Sequence, residues 1–65
     1  MKFEIEDAEA VRDSGKALLV ESPEFDDDGE WIPQSQIHDD SEVYKEGHTG
    51  TLVVTAWFAR KKGWL

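Results

Sequence analysis

Between Thr51 and Gly63 the hydropathy period changes once, and that change constrains the fold more than any other feature of the chain. Thr51 to Thr55 reads TLVVT, a β-branched run that suits a strand. From Ala56 the pattern becomes AWFARKKG, with Thr55 as an N-cap, Arg60, Lys61 and Lys62 in the last turn and Gly63 just past the end. A strand that runs straight into a short capped helix calls for a sheet. We expect TLVVT at its centre.

The N-terminal half supplies the other strands. KFEIE alternates, with Phe3 and Ile5 on one face and Glu4 and Glu6 on the other. The period of DAEAVR, Asp7 to Arg12, fits a turn of helix or a continuing strand. The turn cluster Asp13-Ser14-Gly15, followed directly by KALLVES, favours the strand, closed by a hairpin with Gly15 at positive φ. Strand two then spans Lys16 to Glu21, and Ser22-Pro23 ends it. Asp28-Gly29 turns the chain into Glu30-Trp31-Ile32 as strand three, and Pro33 marks either an edge strand or the strand's end. Gln34 to Asp40 fits a short helical turn anchored by Ile37, and Ser41 to Lys45 a short extended piece. The expected fold is α+β, a small antiparallel sheet of about four strands with one short C-terminal helix. Its expected core is Phe3, Ile5, Val11, Leu18, Val20, Trp31, Ile32, Ile37, Leu52, Val54, Trp57 and Phe58.

Sixty-five residues make a single domain, 1–65, and a chain of this size buries only about 60% of its unfolded surface. With no cysteine there is neither a disulfide framework nor a thiolate metal site, and a reducing cytoplasm is the simplest setting. Residues 1–46 hold all fifteen acids and four bases, a net −11, whereas residues 47–65 hold three bases and no acid, a net +3. Such a field repels nucleic acid and anionic lipid and attracts basic protein surfaces. We therefore expect no direct nucleic-acid or membrane contact and a soluble, intracellular protein. MKFEIEDAE has no secretory pattern, and no apolar run is long enough to span a bilayer.

Catalytic constellations are weak. Asp26-Asp27-Asp28 lacks the apolar setting that raises a carboxyl pKa, so a solvated loop is the better reading. DDDGE offers oxygen ligands, but its glycine is misplaced for a calcium loop and no glutamate closes twelve residues. His38 and His48 with Asp39 and Asp40 contain the donors of a zinc site, yet lone loop histidines are usually just exposed. No serine or threonine sits in an activating motif, and no glycine loop cradles phosphate. Trp31, Tyr44, Trp57, Phe58 and Trp64 read as core before they read as a base-stacking platform, which needs a basic groove. Trp64, beyond the helix stop, either packs back on the sheet or meets a partner. These readings point to a binding module rather than an enzyme, with no cofactor and no metal, and as a monomer.

The acidity is concentrated on either side of Trp31-Ile32. One cluster holds Glu24, Asp26, Asp27, Asp28 and Glu30, the other Asp39, Asp40, Glu42 and Glu46. Solubility alone accounts for many acidic surfaces. Eleven net negative charges over 46 residues exceed that need and carry a cost in self-repulsion. Carboxylates spaced on a rigid scaffold approximate a phosphate backbone, so these nine residues are the candidate partner-binding set.

WIPQSQIHDDSEVYKEGHTGTLVVTAWFARKKGW also resembles a recurrent group of very small phage and prophage proteins. The shared pattern is W-I-P-x-S-Q-I, an acidic stretch, G-x-L-V-V and W-F-A-x-K-K-G, covering about Ala17 to Trp64. In length, acidity and lack of catalytic residues the chain is similar to anti-CRISPR proteins, in particular inhibitors of type I-C. The resemblance implies an acidic DNA mimic in the host bacterial cytoplasm. It would bind a type I surveillance complex and block target DNA at the subunit that reads the PAM. The alternative is a phage accessory protein that joins a replication or recombination complex through Arg60, Lys61, Lys62 and Trp64.

Overall fold

The computed structural model describes residues 2–25 and 28–65. Four antiparallel strands form one sheet in the order β3-β2-β1-β4: β1 Lys2–Asp13, β2 Ala17–Glu21, β3 Glu30–Pro33 and β4 Thr49–Thr55. A 3₁₀ turn over Gln34–Gln36 comes after β3, and helix α1, Ala56–Lys62, continues from β4 without a break. The α+β expectation holds.

β1 organises the sheet because it is long enough to serve two neighbours. Lys2 to Glu9 pairs with β4, and Glu9 to Asp13 pairs with β2. Two bulges let it do both. Ile5 faces Leu52 while Ala8 faces Gly50, so β1 carries one extra residue there, and Asp7 takes φ 55°. A second extra residue lies between Ala10 and Arg12. Each bulge bends the strand, increases its twist and changes which side chains face inward. Ile5, Ala8 and Ala10 all reach the core as a result.

The hairpin at Asp13-Ser14-Gly15 forms as expected. Gly15 has φ 94°, its N–H donates to Asp13 Oδ1 at 2.7 Å, and Ser14 N–H donates to Ala17 O at 3.0 Å. Gly29 is needed for a different reason. It has φ 73°, and a Cβ there would sit 2.8 Å from the Val20 carbonyl oxygen. The helix is capped at both ends: Thr55 Oγ1 accepts from Phe58 N at 3.2 Å, and Gly63, at φ 79°, donates to Arg60 O at 3.1 Å.

Three expectations need correction. First, β4 ends the four-strand order instead of lying at its centre. Its outer edge is covered by residues 37–42 through an Ile37–Val54 bridge and the bonds His38 N to Val53 O, 2.8 Å, and Glu42 N to Thr51 O, 3.0 Å. Second, the short piece Ser41 to Lys45 joins no ladder as a strand of its own, and its Val43 is a fully buried core residue that the expected core left out. Third, Trp31 and Trp57 are not core residues, being 48% and 57% exposed. Neighbouring residues of a strand face opposite sides, so burying Ile32 opposite Leu18 turns Trp31 outward with Leu19. On α1 the core takes Ala56, Phe58 and Ala59, which leaves Trp57 facing solvent. Phe3, Val11 and Ile37 are half-buried, while Ala8, Ala10, Val43, Val53 and Ala59 join the core.

Trp64 folds back against the sheet, which settles its two readings. Its ring stacks on Phe25 and Phe3 at 5.1 and 6.1 Å and meets Phe58 edge-on at 5.7 Å. This cluster ties the start of β1, the end of α1 and the acidic loop to one another.

Candidate protein-binding surface

The two acidic stretches occupy different places on the sheet. The first leaves β2 and crosses the Asp7 bulge. There Ser22 Oγ donates to Glu6 O at 2.9 Å, and Glu6 N–H donates to Glu24 Oε2 at 3.0 Å, so the backbone groups loosened by the bulge gain partners. Phe25, packed on Trp64, anchors the stretch to the core. Asp26 and Asp27 lie outside the described residues. Asp28 is exposed, and Glu30 at the start of β3 pairs with Lys62 of α1 at 2.6 Å.

The second stretch runs along the edge of β4. Ser41 is the buried polar residue of the described chain, and its hydroxyl is fully used. It accepts from Val43 N at 3.2 Å and Val53 N at 3.0 Å and donates to Val43 O at 2.8 Å. Glu42 Oε1 accepts from Thr51 N at 2.9 Å; a Cβ on Gly50 would meet that oxygen at 2.6 Å, hence the glycine. Glu46 Oε1 accepts from Asp13 N at 3.1 Å. Asp40 holds the Lys2 ammonium at 2.8 Å. That hydrogen bond, reinforced by charge attraction, lowers the Asp40 carboxyl below its ordinary value of 3.8 and raises Lys2 above 10.5. His38 Nδ1 accepts from Asp40 N at 3.1 Å, which places the proton of the neutral ring on Nε2.

Of the nine residues singled out by sequence, Glu24, Glu30, Asp40, Glu42 and Glu46 therefore also hold the fold together. Asp28 and Asp39 are exposed and make no ion pair or hydrogen bond among the described residues. Every described carboxylate other than the partly shielded Glu30 is exposed. Sequence reasoning passed over Glu9 and Glu21, which face each other directly across β1 and β2. Their alternation with buried neighbours was the available signal. Like charges opposite one another destabilise a sheet, so this pair adds to the outward negative field at some cost to stability.

An open cleft of about 700 Å³ lies beside the second stretch, lined by Asp13, Gln34, Ile37, His38, Asp39, Tyr44, Lys45 and Glu46. A neighbouring cleft of about 580 Å³ contains Val11, Arg12, Trp31 and Ser14 and shares Asp13 and Glu46 with the first. Among the described residues no group of three or more metal-ligating side chains converges. No described helix is long and apolar enough to cross a membrane. The basic end is partly consumed by the fold: Lys62 is paired and Trp64 packed, leaving Trp57, Arg60 and Lys61 outward, with the Lys61 ammonium 4.8 Å from the Trp57 ring centre. Comparison of the chain with protein-family profiles, curated proteins and solved structures gives no match.

Proposed function

We propose that this chain is an acidic DNA mimic that occupies a lysine- and arginine-lined DNA site on a protein. Its resemblance to anti-CRISPR proteins directs the proposal to a type I surveillance complex and its PAM-reading subunit. The observation that carries the reading is that the described carboxylates other than Glu30 are exposed and several are held in place. Glu24, Glu42 and Glu46 each accept a backbone N–H through one oxygen, which fixes them without cancelling their charge. Fixed charges cost less to order on binding than charges on a free loop.

Binding to the effector should compete with PAM-containing duplex DNA and weaken steeply between low and moderate salt. The variant Asp28→Lys/Asp39→Lys changes two carboxylates that the fold does not use, and it should reduce inhibition while leaving the urea midpoint close to wild type. Unchanged inhibition would count against the acidic surface. The second reading, an accessory protein docking through its basic end, draws on Trp57, Arg60 and Lys61. It would be favoured if Trp57→Ala/Lys61→Glu abolished partner binding while the acid reversals had little effect.

A further inference from the structure

We infer that the cleft beside Tyr44 receives an arginine side chain from an extended segment of the partner protein, with Trp31 contacting the residue two positions along, which shares the arginine's face of the segment. The inference deepens the reading above and rests on it only in requiring a basic protein partner.

Three features define the cleft. Tyr44 is 53% exposed and lines the cleft with the half-buried Ile37; His48 meets the Tyr44 ring edge-on at 4.5 Å and the Lys45 ammonium lies 6.0 Å from its centre, so the ring already attracts a cation that an incoming flat group would displace. Asp13, Asp39 and Glu46 supply three carboxylates against the ammonium of Lys45, a net charge of −2 from these four groups. The wall is rigid. Asp13 N–H is bound to Glu46, and Asp13 Oδ1 accepts from Gly15 N at 2.7 Å and Gln34 Nε2 at 3.0 Å. An aromatic ring beside fixed carboxylates matches the guanidinium group, which stacks through its face and donates in a fork through its edge. Lysine, a point charge without a plane, gains less.

The neighbouring cleft sets the direction of the segment. It lies across the Asp13–Glu46 wall and holds Trp31, 48% exposed, beside half-buried Val11. Tryptophan is among the residue types enriched at the energetic centres of protein interfaces. Arg12 also lines this second cleft, so it disfavours a second cation and favours an apolar or uncharged polar side chain two positions from the bound arginine.

The test uses the full chain and two synthetic probes, a peptide with arginines spaced by serine and leucine and its lysine counterpart, followed by two-dimensional amide and indole NMR. Shifts should concentrate at Asp39, Tyr44, Glu46 and the Trp31 indole, and the arginine peptide should bind roughly 5-fold tighter than the lysine peptide. Asp39→Asn and Tyr44→Ala should each weaken it about 5-fold, whereas Tyr44→Phe should retain binding. Equal affinity for both peptides, with shifts spread over Glu9, Glu21 and Asp28, would overturn the cleft and leave the acidic-surface reading intact. If neither peptide binds while the protein still displaces DNA from its effector, the cleft is likewise refuted. Peptide binding at Tyr44 without DNA displacement would uphold the cleft and refute the inhibitor.

Discussion

The two acidic stretches look alike in composition and are held by different balances of apolar and polar contact. Glu24 to Glu30 is held largely by one aromatic side chain, Phe25 on Trp64, with Glu24 and Glu30 tied at its ends. Asp39 to Glu46 combines the fully buried Val43 with a set of polar contacts, Ser41, Glu42 and Glu46 each binding backbone N–H groups of neighbouring strands. A carboxylate in the second stretch is therefore both a clamp and a charge. The difference shows that acidic residues cannot be sorted into structural and functional from composition, because one residue does both.

Substitutions can break or sharpen this contrast. Ser41→Ala should have the largest effect, since it strips the Val43 and Val53 N–H groups of their shared acceptor. Two buried unsatisfied donors cost about 3 kcal/mol together, measurable as a fall in urea midpoint at unchanged m. A loss under about 1 kcal/mol would mean that water or a shift of the segment replaces the hydroxyl, and the polar clamp would be a minor contributor. Phe25→Ala should cost about 2 kcal/mol, less than a fully buried phenylalanine because the ring is half-exposed. In a Trp31→Phe/Trp57→Phe background it should also red-shift Trp64 emission.

Glu42→Ala should cost about 1 kcal/mol and speed hydrogen exchange at Thr51, while Glu42→Gln, whose amide oxygen still accepts, should recover most of it. Asp28→Asn should stay within about 0.5 kcal/mol of wild type, because no described contact depends on that carboxylate. The smallest signal is that of Asp40→Asn, and it depends on pH. With the Asp40 pKa lowered in the fold, the stabilisation from Lys2 is present above the ordinary value of 3.8 and disappears as pH falls through the lowered one. The thermal midpoints of variant and wild type should therefore differ at pH 6 and converge in strong acid; a constant gap would show that the pairing is not the cause.

What could be read in the sequence was what local chemistry decides. Thr55, the basic last turn and Gly63 specify the helix within one segment, and Asp13-Ser14-Gly15 specifies a hairpin for the same reason. What stayed hidden depends on distant partners. Nothing around Asp7 announces a bulge, because the extra residue is defined only against Leu52 and Gly50. Trp31 and Ile32 are both apolar, and only the register with Leu18 decides which is buried. Among the candidate site residues, the exposure of the carboxylates was legible. The clamping roles of Glu42 and Glu46 were not, since their partners Thr51 and Asp13 lie nine and thirty-three positions away.

The sharing of β1 between two neighbours has a consequence for how the protein is made. As the chain emerges from a ribosome, β2 is available early to pair with the later half of β1 and β3 to pair with β2, but Lys2 to Glu9 must wait for Thr49 to Thr55. During that interval the first half of β1 presents an unpaired edge, the kind of surface that recruits other nascent chains. Lys2, Glu4, Glu6 and Asp7 all project from it into water, and their charges make that waiting strand a poor template for aggregation. Part of the acidity thus protects the protein before it has any partner to meet.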